Sequence, residues 1–320
     1  MDQAEGNPAA RRAIPAGAVE GKWHTADGHP VRRIDWALGD GGTPKGSILF
    51  MPGRGDFYEK YLETLDHWYR RGWHVTASDW RGQAGSGRLG ADGVTGHIDD
   101  FETWIDDLAG FWARWVAETP GPHILAGHSM GGHLVLRSVA EKRVEPDGLV
   151  LSAPMLGFLG PLPLGVMHAA ARLMKSLGDP RRPAWKWSEK PGEVPEGREA
   201  LLTHDDGRYA DELWWREHRP ELVMGPGSWG WVERAYASTK ALFAPGLLEG
   251  VHIPVLIVAT RADKLVAFDA IERAAARLPD CKLVAFGNEA HHEILREVDP
   301  VRDRAIEAID TFIDGIVKAR

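Results

Sequence analysis

The chain has 320 residues, 43% of them hydrophobic and 26% charged, with a formal net charge of −8, proportions of ordinary globular domains. The acidic balance speaks against a nucleic-acid groove and against capture by anionic lipid through charge alone. Cys281 is the only cysteine, which excludes an intrachain disulfide and a cysteine-based metal cluster.

Residues 1–20 carry an Arg-Arg pair with no apolar run behind it. They read as a flexible tail rather than a secretory or twin-arginine signal. No uncharged apolar stretch is long enough to span a bilayer, so a cytoplasmic location is expected, with peripheral membrane contact left open. Two strand-like pieces, 22–25 and 31–36, flank the turn-rich "ADGHP" and predict a hairpin. Ser47–Met51 is a continuous apolar run of the buried parallel-strand type, ending in a glycine loop. A helix is expected over 56–71, and "WHVTASDW" predicts a strand ending at Asp79. The loop "RGQAGSGR" follows; it lacks the lysine-serine ending of a P-loop and reads as a turn. Asp79 and Arg81 are expected to hold that loop by local hydrogen bonds. Asp99 or Asp100 caps a helix reaching Glu118. Strands at 123–126 and Gly148–Ser152 bracket a helix at 130–142. Strands at Val255–Thr260 and 283–286 bracket a helix at 268–277, and a helix over 301–317 closes the chain. Strand–helix alternation of this kind predicts an α/β fold with a mostly parallel sheet covered on both faces.

Residues 155–248 break the alternation. They hold "GPLPLG", "KPGEVPEG" and six tryptophans (Trp185, Trp187, Trp214, Trp215, Trp229, Trp231) but no clear buried strand. Lying between two core strands, they read as a mainly helical cap inserted into a core of residues 21–154 and 249–320. Their apolar residues serve mostly as cap core, with a few lining a pocket or touching a membrane surface.

The chemistry concentrates at "HILAGHSMGGHL". A strand, a serine between glycines and a helix together make a tight turn that lifts the Ser129 hydroxyl above the strand end. The helix dipole and the Met130 N–H then face developing negative charge. Alone, a Gly-x-Ser-x-Gly match carries little weight, because glycine is common. A serine hydroxyl also needs a base. Two later strand ends supply candidates in order: Asp263 in "VLIVATRADKLV", then His291 and His292 in "GNEAHHEIL". His292 is the favoured base, with His291 packing the loop. His97, His128 and His133 have no metal-ligand spacing.

These stretches resemble the α/β-hydrolases of the lysophospholipase and monoacylglycerol lipase branch. "GHSMGG" is similar to that branch's serine turn, "RADKLV" to its acid loop and "HHEILREVD" to its histidine loop, which puts His292 in the catalytic position. "PGRGDFYEKY" and "DWRGQAGSGR" resemble the bacterial lysophospholipases more, since monoacylglycerol lipases usually have His-Gly where this chain has Pro52-Gly53. The resemblance covers roughly 36–152 and 254–316 and is weak in the cap. It implies an α/β-hydrolase fold and cofactor-free, metal-free hydrolysis of a carboxylic ester of a single-acyl lipid by Ser129, His292 and Asp263. It also implies an oxyanion hole formed by the amides of Arg54 and Met130. The Arg54 side chain has two readings, a clamp for a substrate phosphate or carboxylate or a partner of Asp56 or Glu59. A general carboxylesterase for shorter acyl esters is the alternative; another triad-dependent reaction or a catalytically silent binding protein stands behind it. Nothing in the chain signals an oligomeric state.

Overall fold

The computed structural model describes residues 11–38, 43–186 and 197–319. Eight strands form one sheet in the order β1-β2-β4-β3-β5-β6-β7-β8. They are β1 Ala18–His24, β2 Pro30–Trp36, β3 Ser47–Met51, β4 His74–Ser78, β5 His123–His128, β6 Gly148–Ser152, β7 Val255–Thr260 and β8 Cys281–Phe286. The β1–β2 and β2–β4 pairs are antiparallel; from β4 to β8 every neighbour is parallel. β3, β6 and β7 are buried along their whole length, as strands covered by helices on both faces must be.

Those covers are α1 (Leu62–Arg70), α2 (Phe101–Glu118), α3 (Met130–Ala140), α8 (Phe268–Ala275) and α9 (Asp299–Lys318). Asp100 caps α2, its carboxylate accepting the Glu102 N–H. The helix expected over 56–71 is split into a tight 3-10 turn at Tyr58–Tyr61 followed by α1. All four residues of that turn are buried, two of them charged, so no amphipathic period marks them.

Between β6 and β7 lie α4 (Leu164–Ser176), α5 (Glu199–Leu202), α6 (Asp206–His218) and α7 (Trp229–Leu242), with no β-strand among the described residues. The N-terminal segment meets this region: Arg11 and Arg12 both bond the Asp211 carboxylate of α6, and β1 already begins at Ala18. Residues 1–10 of the expected tail, and Trp187, lie outside the described residues. Among the described residues no helix is long and apolar enough to cross a membrane. The parallel strands end on one side of the sheet, where their loops meet the inserted helices.

Candidate active site

Ser129 follows β5 directly and occupies a conformation unusual for a side chain with a Cβ, φ 51° and ψ −117°, at a backbone cost of about 1–3 kcal/mol. The surroundings hold it there. Its N–H donates to Ser152 O, and its carbonyl accepts from His133 and Met155 N–H. Glycines permit the crowding: a Cβ on Gly127 would lie 2.8 Å from Gly131, and one on Gly131 would strike the carbonyl oxygens of Met51 and Pro52. The loop after β3 is equally close, since a Cβ on Gly53 would come within 3.1 Å of Ser129 Cβ. Arg54 is the next residue in that loop, and Met130 opens α3.

Asp263 stands in the loop after β7, and one oxygen accepts the N–H groups of Leu265 (2.8 Å) and Val266 (3.0 Å). The other accepts from His292 Nδ1 at 2.7 Å. Thr260 joins the two loops, with its hydroxyl bonding both Gly287 O and Ala290 O. The histidine loop is also stitched to α5, where Glu293 N–H donates to Leu202 O at 2.8 Å. Ser129 and His292 face a common cavity of about 450 Å³, walled by Met155, Phe158, Leu201 and Leu265, a size suited to a drug-sized ligand.

Charge follows geometry. Burial, the largest single influence, lowers the basicity of His292, but the Asp263 carboxylate with Glu293 and Asp56 behind it together hold the imidazole above its ordinary range. Burial raises Asp263, yet His292 and the two loop amides leave it below the usual carboxylate range. His128, whose ring lies 4.9 Å from that of His292, is pushed down to about 4 by burial and by the charge of His292. It stays neutral and does not compete for the proton.

The remaining expected residues go elsewhere. His291 stacks on His204 with ring centroids 3.6 Å apart. The Arg54 guanidinium, expected at a substrate or at Asp56 or Glu59, donates to Gly225 O at 2.8 Å and lies 5.0 Å from each of the Trp185 and Trp231 rings. Asp56 is instead bonded by Lys60 and Tyr61, and Glu59 by Arg32. Arg54 still lines the cavity. Asp79 takes Arg32 at 2.8 Å, and Arg81 takes Asp27 and Asp107, partners outside the glycine loop that the two were expected to hold. His97 bonds Ser228 and Asp99, and His133 bonds Ser238.

One feature escaped the sequence: a buried ionic network behind His292. Lys60 Nζ contacts Asp56 (2.6 Å), Glu293 (2.5 Å) and Glu212 of α6 (3.0 Å). Arg296 bridges Glu212 and Glu293 from the other side. The local hints were the Asp56/Lys60 and Glu212/Arg216 spacings of four and the Glu293/Arg296 spacing of three.

The profile of the serine aminopeptidase S33 family matches residues 42–299. Lysophospholipase L2 of Escherichia coli strain K12 is 29% identical over 286 residues, spanning 83% of this chain and 80% of that one. A soluble variant of the monoglyceride lipase of Saccharomyces cerevisiae superposes with a TM-score of 0.73 at 18% identity, over 95% of this chain and 96% of that one. The monoacylglycerol lipase of Paleococcus ferrophilus does so at 0.66 and 21% identity, over 91% and 99%. At such identities the structural likenesses speak for the fold. The profile match spans most of the chain and takes in every strand from β3 to β8, and on that extent the chain belongs to the serine aminopeptidase S33 family, with an α/β-hydrolase fold.

Proposed function

We propose that this ester hydrolase cleaves the single acyl ester of a lysophospholipid or monoacylglycerol through Ser129, His292 and Asp263. The observation that carries the reading is the 2.7 Å bond from His292 Nδ1 to Asp263, with His292 and Ser129 facing the same apolar-walled cavity. His292 Nε2 takes the proton as Ser129 Oγ attacks the ester carbonyl, and Asp263 stabilises the imidazolium without accepting its proton. The amides of Arg54 and Met130 receive the oxyanion. The alcohol leaves with the proton from His292, which then activates water to release the fatty acid. The chain's own residues suffice for these steps, with no cofactor or metal.

Two features favour a lysophospholipid. The E. coli relative is a lysophospholipase by name, and a guanidinium at the cavity wall suits a phosphate. The family's description as aminopeptidases fits less well, because an ammonium-bearing substrate would meet Arg54 and Arg198, while Asp56 and Glu293 on the same wall are bound to Lys60. A fluorophosphonate probe followed by hydrolysis assays tests the reading. Ser129→Ala should abolish labelling and turnover, with lysophosphatidylglycerol preferred over a monoacylglycerol of equal chain length. Failure of the folded wild type to label would overturn the mechanism. Turnover of short esters alone would replace the lipid substrate by that of a general carboxylesterase.

A further inference from the structure

A second and larger cavity, about 980 Å³, opens between α4, α7 and α8 on the far side of the segment 155–158. We propose that it binds a long-chain carboxylate, separately from the catalytic cavity. Its walls are apolar: Leu156 at the floor, Leu164 and Ala169 from α4, Ala237 from α7 and Phe243 just beyond it. Arg172, Lys240 and Arg273 also line it, and among the described residues no aspartate or glutamate does. Arg273 is engaged by Asp269. The neighbouring Glu233 is held by His168, Lys175 and Arg234. Arg172 and Lys240 form no ion pair among the described residues. Apolar walls with two cations that pair with no described carboxylate complement an acyl chain ending in a carboxylate, and disfavour a neutral or cationic lipid.

The dividing segment is pinned at both ends. Met155 N–H donates to Ser129 O, and Ala267 N–H donates to Gly157 O at 3.1 Å. Met155 and Phe158 face the catalytic cavity, whereas Leu156 and Gly157 face the second one. The Phe158 ring packs on Tyr236 at 4.7 Å and closes the wall. A fatty acid is also what the proposed reaction releases, although binding here does not depend on that reaction.

The test uses a diazirine-bearing palmitate below its micelle concentration, irradiated with the full chain and mapped by peptide mass spectrometry. Labels should fall on residues 164–172 and 236–245. They should drop at least tenfold in an Arg172→Glu/Lys240→Glu variant of unchanged melting temperature. Palmitate should compete at least 100-fold better than octanoate, since each buried methylene contributes about fourfold in affinity. Cetyl alcohol should compete poorly. Labels confined to residues 201–202 and 265 would overturn the proposal, as would equal labelling of the charge-reversed variant or equal competition by the alcohol. If free palmitate leaves the cavity unlabelled while charge reversal weakens binding to phosphatidylglycerol vesicles, the cations serve a membrane and not a free acid. Hydrolysis of p-nitrophenyl butyrate by both proteins reads the catalytic proposal independently, so either can fall alone.

Discussion

His292 sits between two opposed influences, and its role depends on which one wins. Burial disfavours the imidazolium, while Asp263, helped by Glu293 and Asp56, favours it, and the carboxylates together prevail. A general base works only when neutral, so activity should rise with pH through the raised histidine pKa and fall away below it. Asp263→Asn removes the foremost of the influences that favour the imidazolium and leaves burial in place. The acid limb of kcat/KM should therefore move to lower pH, while the plateau falls by about 10⁴-fold, the scale seen when the acid of a Ser-His-Asp triad is neutralised. A pH–rate profile with an unmoved acid limb would remove His292 from the base role. Arg54 is a different case at the same scale, because its amide and its side chain have separate duties. The amide's loop is held without the side chain, by Gly53 N–H on Asp56 and Gly55 N–H on Gln83. Arg54→Ala should thus raise KM for a lysophospholipid by about 10–100-fold, the worth of one hydrogen bond from a charged group. A neutral short ester should change less than about threefold. Equal losses in kcat for both would mean that the side chain serves the oxyanion loop and not the headgroup.

At the scale of elements, the turn between β5 and α3 tolerates nothing larger than glycine at 131, where a Cβ would strike the carbonyls of Met51 and Pro52. Gly131→Ala should push the β3 loop away from Ser129 and separate the two proposed oxyanion donors. Loss of one such donor costs about 10²–10³-fold in kcat, and folding should survive if the loop yields; circular dichroism and burst kinetics on the same sample check both. The same elements show what a linear reading reaches. β3, β6 and β7 are continuous apolar runs because both faces are buried, and their limits are legible to the residue. β1 is not, since it runs along the sheet edge with only Trp23 buried and so has no apolar pattern over its first four residues. The positions of Ser129, Asp263 and His292 beyond strand ends were legible because each follows an apolar run that reads as a strand. The cavity that Ser129 and His292 border was not, as its walls come from the loops after β3, β6, β7 and β8 and from the cap helices α5 and α7, separated by long stretches of chain. Nor was the place of Arg54, because its indole partners at 185 and 231 lie in the segment with the weakest pattern.

For the whole molecule, the buried network is one of the ties between the sheet's loops and the inserted helices. Lys60 comes from the turn before α1, Glu212 from α6, and Glu293 from the residue after His292. Glu293 is 233 positions away from its lysine, so no local rule predicts the pairing. Three buried carboxylates, Asp56, Glu212 and Glu293, face two buried cations, Lys60 and Arg296, with Arg198 and Arg216 more distant from Glu212 at 3.8 and 3.6 Å. Such a network adds little net stability over an apolar replacement, but removing one member leaves charge stranded in the interior. Lys60→Met should therefore destabilise the fold by about 3–5 kcal/mol, a drop in Tm of about 5–10 °C by calorimetry. Asp56 and Glu293 already favour the charged form of His292. Freed from Lys60, they should favour it further and move the acid limb of kcat/KM to higher pH, opposite to Asp263→Asn. The double variant Lys60→Met/Glu212→Gln removes one charge of each sign and should recover part of the lost stability. If the single variant melts at the wild-type temperature with an unmoved acid limb, the network neither holds the cap to the sheet nor tunes the base, and His292 answers to Asp263 alone.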